Sequence, residues 1–131
     1  MSEQQVVAPL PREVVGLLGL VDKRYRLAAE ASLARKAIMK TVQKHVREAR
    51  EIGVSTGQIN AMIERLISEP STETAKAIVA ARAKRAEIMA AAKKETDSER
   101  ARLKELGSKI KALDADIFKD LNKPEIRRLL E

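Results

Sequence analysis

Apolar residues return every three or four positions along the first part of the chain, which is the spacing of an α-helix. Neither glycine nor proline occurs between Leu20 and Ile52. The pattern predicts one long helix over residues 12–52, preceded by a flexible arm over residues 1–11 that holds two prolines. The positions that carry the helical spacing are Leu18, Val21, Tyr25 and Ala28, followed by Ile38, Val42, Val46 and Ala49.

Breaker and capping residues divide the rest of the chain. Gly53 suits the left-handed position after a helix, and Ser55 is a typical N-cap, so a short helix is expected over residues 55–68. Pro70 ends that helix. A long third helix is then expected over residues 72–121, followed by a terminal turn over residues 123–131.

An apolar seam runs through the second half of the third helix. Its members alternate three and four residues apart, and they are Leu103, Leu106, Ile110, Leu113 and Ile117. Continued upstream, the same register meets Arg82, Arg85, Thr96 and Glu99. A seam this short serves a dimer or an antiparallel hairpin on the first helix equally well. We therefore expect an all-α fold of two long helices joined through a short helix, partly coiled-coil, in one elongated domain over residues 12–131.

Composition removes several classes of function. The chain has 131 residues with no cysteine and one histidine, so disulfides and thiolate chemistry are excluded. No phosphate-binding loop, carboxylate pair or metal-ligand spacing emerges, and we expect no enzyme activity, no cofactor and no metal. His45 is interpreted as a helix-surface or interface residue. Asp114 and Asp116 diverge on a helix and are interpreted as solvated charges.

The net charge of +7, from 26 Lys and Arg against 19 Asp and Glu, is unevenly distributed. Residues 21–54 carry nine bases and four acids, whereas residues 97–121 carry six of each. One helical stripe repeats positive charge at every turn, and it consists of Lys36, Lys40, Lys44 and Arg47. Phosphates would relieve the mutual repulsion in this stripe through counterion release. The alternative is a solvated face of an ordinary helix.

The segment from His45 to Arg65, HVREAREIGVSTGQINAMIER, resembles the helix-turn-helix unit of bacterial repressors. The resemblance implies that Thr56, Gln58 and Asn60 start a recognition helix and contact bases. It also implies that Arg47, Arg50 and Arg65 approach phosphates. The same stretch is similar to GapR-type nucleoid proteins, in which long helices enclose DNA. An ordinary glycine-capped connection between two helices is the alternative.

These patterns favour a non-catalytic, cytoplasmic protein that binds double-stranded DNA as a dimer. The second hypothesis is a helical adaptor or scaffold that binds a protein partner in a phage particle or secretion machine. A membrane-surface helix ranks third, because bulky apolar anchors opposite the basic stripe are scarce. No apolar run approaches the roughly 20 residues needed to span a bilayer.

Overall fold

The computed structural model describes residues 9–131, and their regular structure is α-helical without a strand. The all-α fold is therefore confirmed. The helices are α1 (Arg12–Glu51), α2 (Thr56–Ser68), α3 (Thr72–Glu95), α4 (Asp97–Leu121) and α5 (Pro124–Leu130). Residues 1–8 of the expected arm lie outside the described part. Within residues 9–131, no helix combines the length and the apolar character that a membrane span requires.

The first long helix begins and ends where the local chemistry predicts. The Pro11 carbonyl accepts from the backbone N–H groups of Val14 and Val15 at 3.0 and 3.1 Å, which starts α1 directly after the proline. At the other end Gly53 has a φ of +85°, the left-handed region that a side chain would strain. The Val54 N–H then donates to the Ala49 carbonyl at 2.8 Å, closing a Schellman turn.

The helix expected over residues 72–121 is interrupted at Thr96. The expected single helix is therefore two helices, α3 and α4. Thr96 is buried, and its hydroxyl lies 3.0 Å from the Ala92 carbonyl and 3.2 Å from the Lys93 carbonyl. The same Oγ1 accepts from Arg100 Nε at 2.8 Å. A hydroxyl that bonds back to carbonyls one turn earlier competes with the regular ladder and often bends a helix. We attribute the break to this side chain.

Contacts divide the chain into two compact units, and α1 contributes residues to both. Unit 1 comprises Met1–Ser32 and Leu103–Glu131, and unit 2 comprises Leu33–Arg102. Whether the units behave as the single elongated domain expected above stays a prediction.

In unit 1 the predicted apolar seam of α4 packs against the same chain. Leu106 and Leu113 are buried. The other seam residues, Leu103, Ile110 and Ile117, are half-buried. Their burial within the chain favours the hairpin over a dimer at this seam. The ion pair between Arg24 of α1 and Asp114 of α4 joins the two helices, so Asp114 is not merely a solvated charge.

On α1 the buried stripe in unit 1 is not the apolar stripe identified from the sequence. Leu18, Val21 and Tyr25 are exposed. Ala28, the fourth member of that stripe, is half-buried. Most other half-buried or buried positions repeat at heptad spacing, and they are Leu17, Leu20, Arg24, Leu27 and Ala31. The N-terminal half of α1 therefore has two apolar stripes, one packed and one open to solvent.

Unit 2 packs α1, α2 and α3 around a small core. Ala49, Val54, Ile59 and Ala81 are buried together, and Met62, Ile63 and Ile88 pack against them. The small side chains of Ala49 and Ala81 permit close approach of the helices. This core fixes the turn between α1 and α2, where most of the predicted binding residues lie.

Candidate nucleic-acid interface

A basic stripe on α1 runs along the outside of unit 2. Lys36, Lys40, Lys44 and Arg47 are all exposed. Ile38, His45 and Ala49, on the opposite side of the helix, are half-buried or buried. At 1.5 Å per residue, the stripe covers about 16 Å of the helix. Its cations therefore project away from the core at intervals of about one helical turn.

No ion pair formed by a stripe residue is present within residues 9–131, although Glu48 and Glu51 lie one turn after Lys44 and Arg47. Among residues 9–131, the ion pairs formed by lysine and arginine involve other cations, such as Lys84 with Glu87 and Lys109 with Glu105. The stripe residues do not occur among them. Unit 2 as a whole carries fifteen Lys and Arg against nine Asp and Glu, net +6, whereas unit 1 carries eleven against ten, net +1.

The turn after the stripe holds Gln58 in a role that the sequence did not predict. The Ser55 N–H donates to Gln58 Oε1 at 3.0 Å, and the Gln58 N–H donates to Ser55 Oγ at 3.3 Å, which forms a capping box. Gln58 Nε2 also donates to the Arg50 carbonyl at 3.2 Å. Both ends of the amide bond the protein itself, so Gln58 positions the turn. Its contact with a base stays a prediction.

A groove of about 550 Å³ lies beside the first turn of α2. Arg50 of α1, Arg85 of α3 and the α2 residues Thr56, Gly57 and Gln58 contribute to its lining. The first N–H groups of a helix lack intrahelical acceptors and carry partial positive charge, which favours anions. Two arginines beside this helix end strengthen the positive potential there.

A second, smaller groove of about 180 Å³ adjoins the same helix end. Thr56 and Asn60 line it from α2, and Arg82 and Arg85 line it from α3. The sequence register placed Arg82 and Arg85 on the apolar seam, but Arg82 is exposed and Arg85 half-buried. The signal that could have identified them is the excess of bases in residues 71–96, six against three acids.

The remaining predicted residues are not all brought together. Thr56 and Asn60 are exposed near the start of α2, beside Arg50. Arg65 is exposed in the last turn of α2, nine residues from Thr56 and therefore about 13 Å along the helix axis. A ligand centred on the first turn of α2 would meet Arg50 before Arg65.

His45 lies under the stripe rather than in it. The side chain is buried, with Nδ1 3.4 Å from a Glu48 oxygen and Nε2 3.2 Å from a Glu95 oxygen. Neither contact has hydrogen-bond geometry. The position between two carboxylates makes His45 part of the packing between α1 and the end of α3. Within residues 9–131, no three His, Cys, Asp or Glu side chains are placed to hold a metal ion.

Comparison with protein-family models, curated proteins and solved structures finds no match to this chain.

Proposed function

We propose that this chain is a non-catalytic, cytoplasmic DNA-binding protein whose unit 2 holds the phosphate backbone of a duplex. The observation that carries the proposal is the exposed stripe of Lys36, Lys40, Lys44 and Arg47, whose residues form no ion pair within residues 9–131. Releasing condensed counterions from DNA provides the free energy that a repelling row of cations needs. Phosphate contacts of this kind position a protein on DNA without reading sequence.

The grooves at the start of α2 support the same assignment. Arg50, Arg82 and Arg85 line these grooves at the N-terminal end of α2, which favours anions, and this arrangement suits a further phosphate of the same duplex. Asn60 lines the smaller groove, and no hydrogen bond of its side chain is recorded within residues 9–131, in contrast to Gln58. Any base contact from this helix is therefore assigned to Asn60, and we expect sequence preference to be weak.

Duplex binding measured against salt concentration tests the proposal. Affinity should fall steeply, with a log-log slope of about −0.9 for each phosphate contact. The triple variant Lys36→Gln, Lys40→Gln, Lys44→Gln should make the slope shallower by about 2 to 3 and weaken binding to every sequence. Glutamine and lysine have similar helix propensities, so the substitutions should not change the folding of α1.

The matched control removes the same charge from unit 1. Lys23 of α1 and Lys109 and Lys119 of α4 are exposed in unit 1, and changing all three to Gln lowers the net charge by the same amount. This control should retain most of the slope and affinity. An equal loss in both triple variants would show that total charge, not the stripe, governs binding. No duplex binding by the unmodified protein at low salt would reject the proposal.

A helical adaptor that binds another protein is the second candidate function. Ile67 of α2 and Val79 of α3 are 76% and 69% exposed in unit 2, where no described residue covers them. Val79 also lines an apolar groove of about 400 Å³ along α3. Stoichiometric co-purification of one protein, lost on Val79→Ser and accompanied by indifference to DNA, would favour this candidate.

A further inference from the structure

Unit 1 exposes both aromatic residues of the chain. Tyr25 on α1 is 73% exposed and Phe118 on α4 is 69% exposed. Leu18 and Val21 on α1 and Leu121 on α4 are also exposed. Large aromatic side chains are the residues most often found at the centre of protein interfaces. Their exposure together on one unit indicates an interaction surface.

Helical geometry places these side chains on the same side of the α1 and α4 pair. The Arg24 to Asp114 ion pair, the half-buried Leu17 and the buried Leu106 and Leu113 define which sides of the two helices meet. At 100° per residue, Leu18 and Tyr25 lie about 120 to 140° to one side of the centre of the packed stripe of α1. Since the helices run antiparallel, Phe118 lies at a similar angle on α4 toward that same side.

The groove on the other side of the pair agrees with this placement. Lys23 and Leu27 of α1 line it together with Lys109, Ala112 and Asp116 of α4. By the same helical angles, these residues lie opposite to Tyr25 and Phe118. We call the side that carries Leu18, Val21, Tyr25, Phe118 and Leu121 the aromatic face.

The aromatic face supplies a large part of the area that association requires. The exposed fractions of its five residues range from 37% to 73%. Taking roughly 200 Å² for a side chain of this size, they expose on the order of 550 Å² of mostly apolar surface. A stable interface covers about 800 Å² on each partner, including a polar rim. The face therefore provides the apolar centre of such an interface without the rim.

Charge favours a second copy of the chain as the occupant. Unit 1 has a net charge of +1, so two copies meet there without the repulsion that two +6 units would suffer. Asp114 at the edge of the face is already paired with Arg24 within the chain. An anionic membrane surface would require a basic excess that unit 1 lacks.

We propose that two copies of the chain associate through their aromatic faces into a symmetric dimer. The predicted dimer seam of Leu103 to Ile117 is used within the chain, and the aromatic face takes its place. In a two-fold dimer each face meets its own copy, so Tyr25 and Phe118 of both copies enter one interface. The inference does not depend on DNA binding, because it concerns the protein alone.

Sedimentation equilibrium of the full chain without DNA tests the proposal. The unmodified protein should be a dimer, and Tyr25→Ser and Phe118→Ser should each weaken dimerisation by about 30-fold or more, as expected for aromatic residues at the centre of an interface. Both side chains are mostly exposed, so helicity measured by circular dichroism should not change. Ile67→Ser and Val79→Ser are matched controls in unit 2 and should remain dimeric.

Tyrosine emission provides a readout that needs no variant. Tyr25 is the single tyrosine and the chain has no tryptophan, so its fluorescence reports directly on the aromatic face. The emission should change as the protein is diluted through the dissociation range. A monomer at about 200 μM, or a dimer that survives both aromatic substitutions, would overturn the proposal. So would a monomer whose aromatic face binds lipid vesicles or another protein.

Discussion

The Gln58 amide links three parts of one turn. It accepts from the Ser55 N–H, it donates to the Arg50 carbonyl at the end of α1, and its own N–H donates to Ser55. These contacts satisfy orphan groups at two helix ends. In a recognition helix the same residue type would point its amide at a base edge. The local hydrogen bonds assign Gln58 to the turn instead.

Gln58→Ala should therefore affect stability more than sequence preference. Losing the capping box and the bond to Arg50 should lower the free energy of unfolding by about 1 to 2 kcal/mol. The ratio of affinities for AT-rich and GC-rich duplexes should not change. Urea unfolding and duplex titrations measure the two effects. Asn60→Ala is the control, with stability unchanged to within about 0.5 kcal/mol. A changed ratio without lost stability would mean that Gln58 reaches the bases.

Among the helices, α4 shows how a heptad pattern is used inside one chain. Leu106 has no exposed surface and Leu113 is buried, while the intervening Lys109 and Lys111 are exposed. Burying a leucine side chain contributes about 1.5 to 3 kcal/mol. The packing of α1 against α4 in unit 1 therefore depends on a few leucines and one ion pair.

Leu106→Ala should destabilise unit 1 strongly. Removing a fully buried leucine and leaving a cavity costs about 2 to 5 kcal/mol. Leu33→Ala is the control, since Leu33 is exposed on α1, and it should change stability by less than about 0.5 kcal/mol. Urea denaturation followed by circular dichroism compares them. Equal stability of the two variants would contradict the hairpin arrangement of the seam.

Features that depend on local chemistry were predictable from the sequence, and those that depend on packing were not. Gly53 and Ser55 determine the turn through backbone conformation and capping, and both lie where expected. The packed stripe of α1 in unit 1 could not be identified from the sequence, because Leu18 and Tyr25 offer an equally apolar alternative to Leu17 and Leu27. The break at Thr96 depends on the burial of that side chain, which the sequence does not show. The grooves beside α2 depend on Arg82 of α3, which only the packing of the helices brings there.

At the scale of the whole molecule, charge and apolar surface are separated. Unit 2 carries +6 of the net charge, and unit 1 carries both aromatic residues on a nearly neutral surface. The two proposals use these different surfaces. A dimer formed through unit 1 would have two basic units, each able to bind phosphates. Binding of the second unit to the same duplex then benefits from a raised effective concentration.

Duplex length should reveal this coupling. On a duplex of about 60 base pairs, Phe118→Ser should bind about 100-fold or more weakly than the unmodified protein, since it loses the second attachment. Its salt slope should also fall to about half, because half of the phosphate contacts remain. On a duplex of about 10 base pairs, which accommodates one unit 2, both proteins should bind alike. An equal loss on the short duplex would mean that Phe118 acts on DNA binding within one chain, and the coupling through the dimer would be rejected.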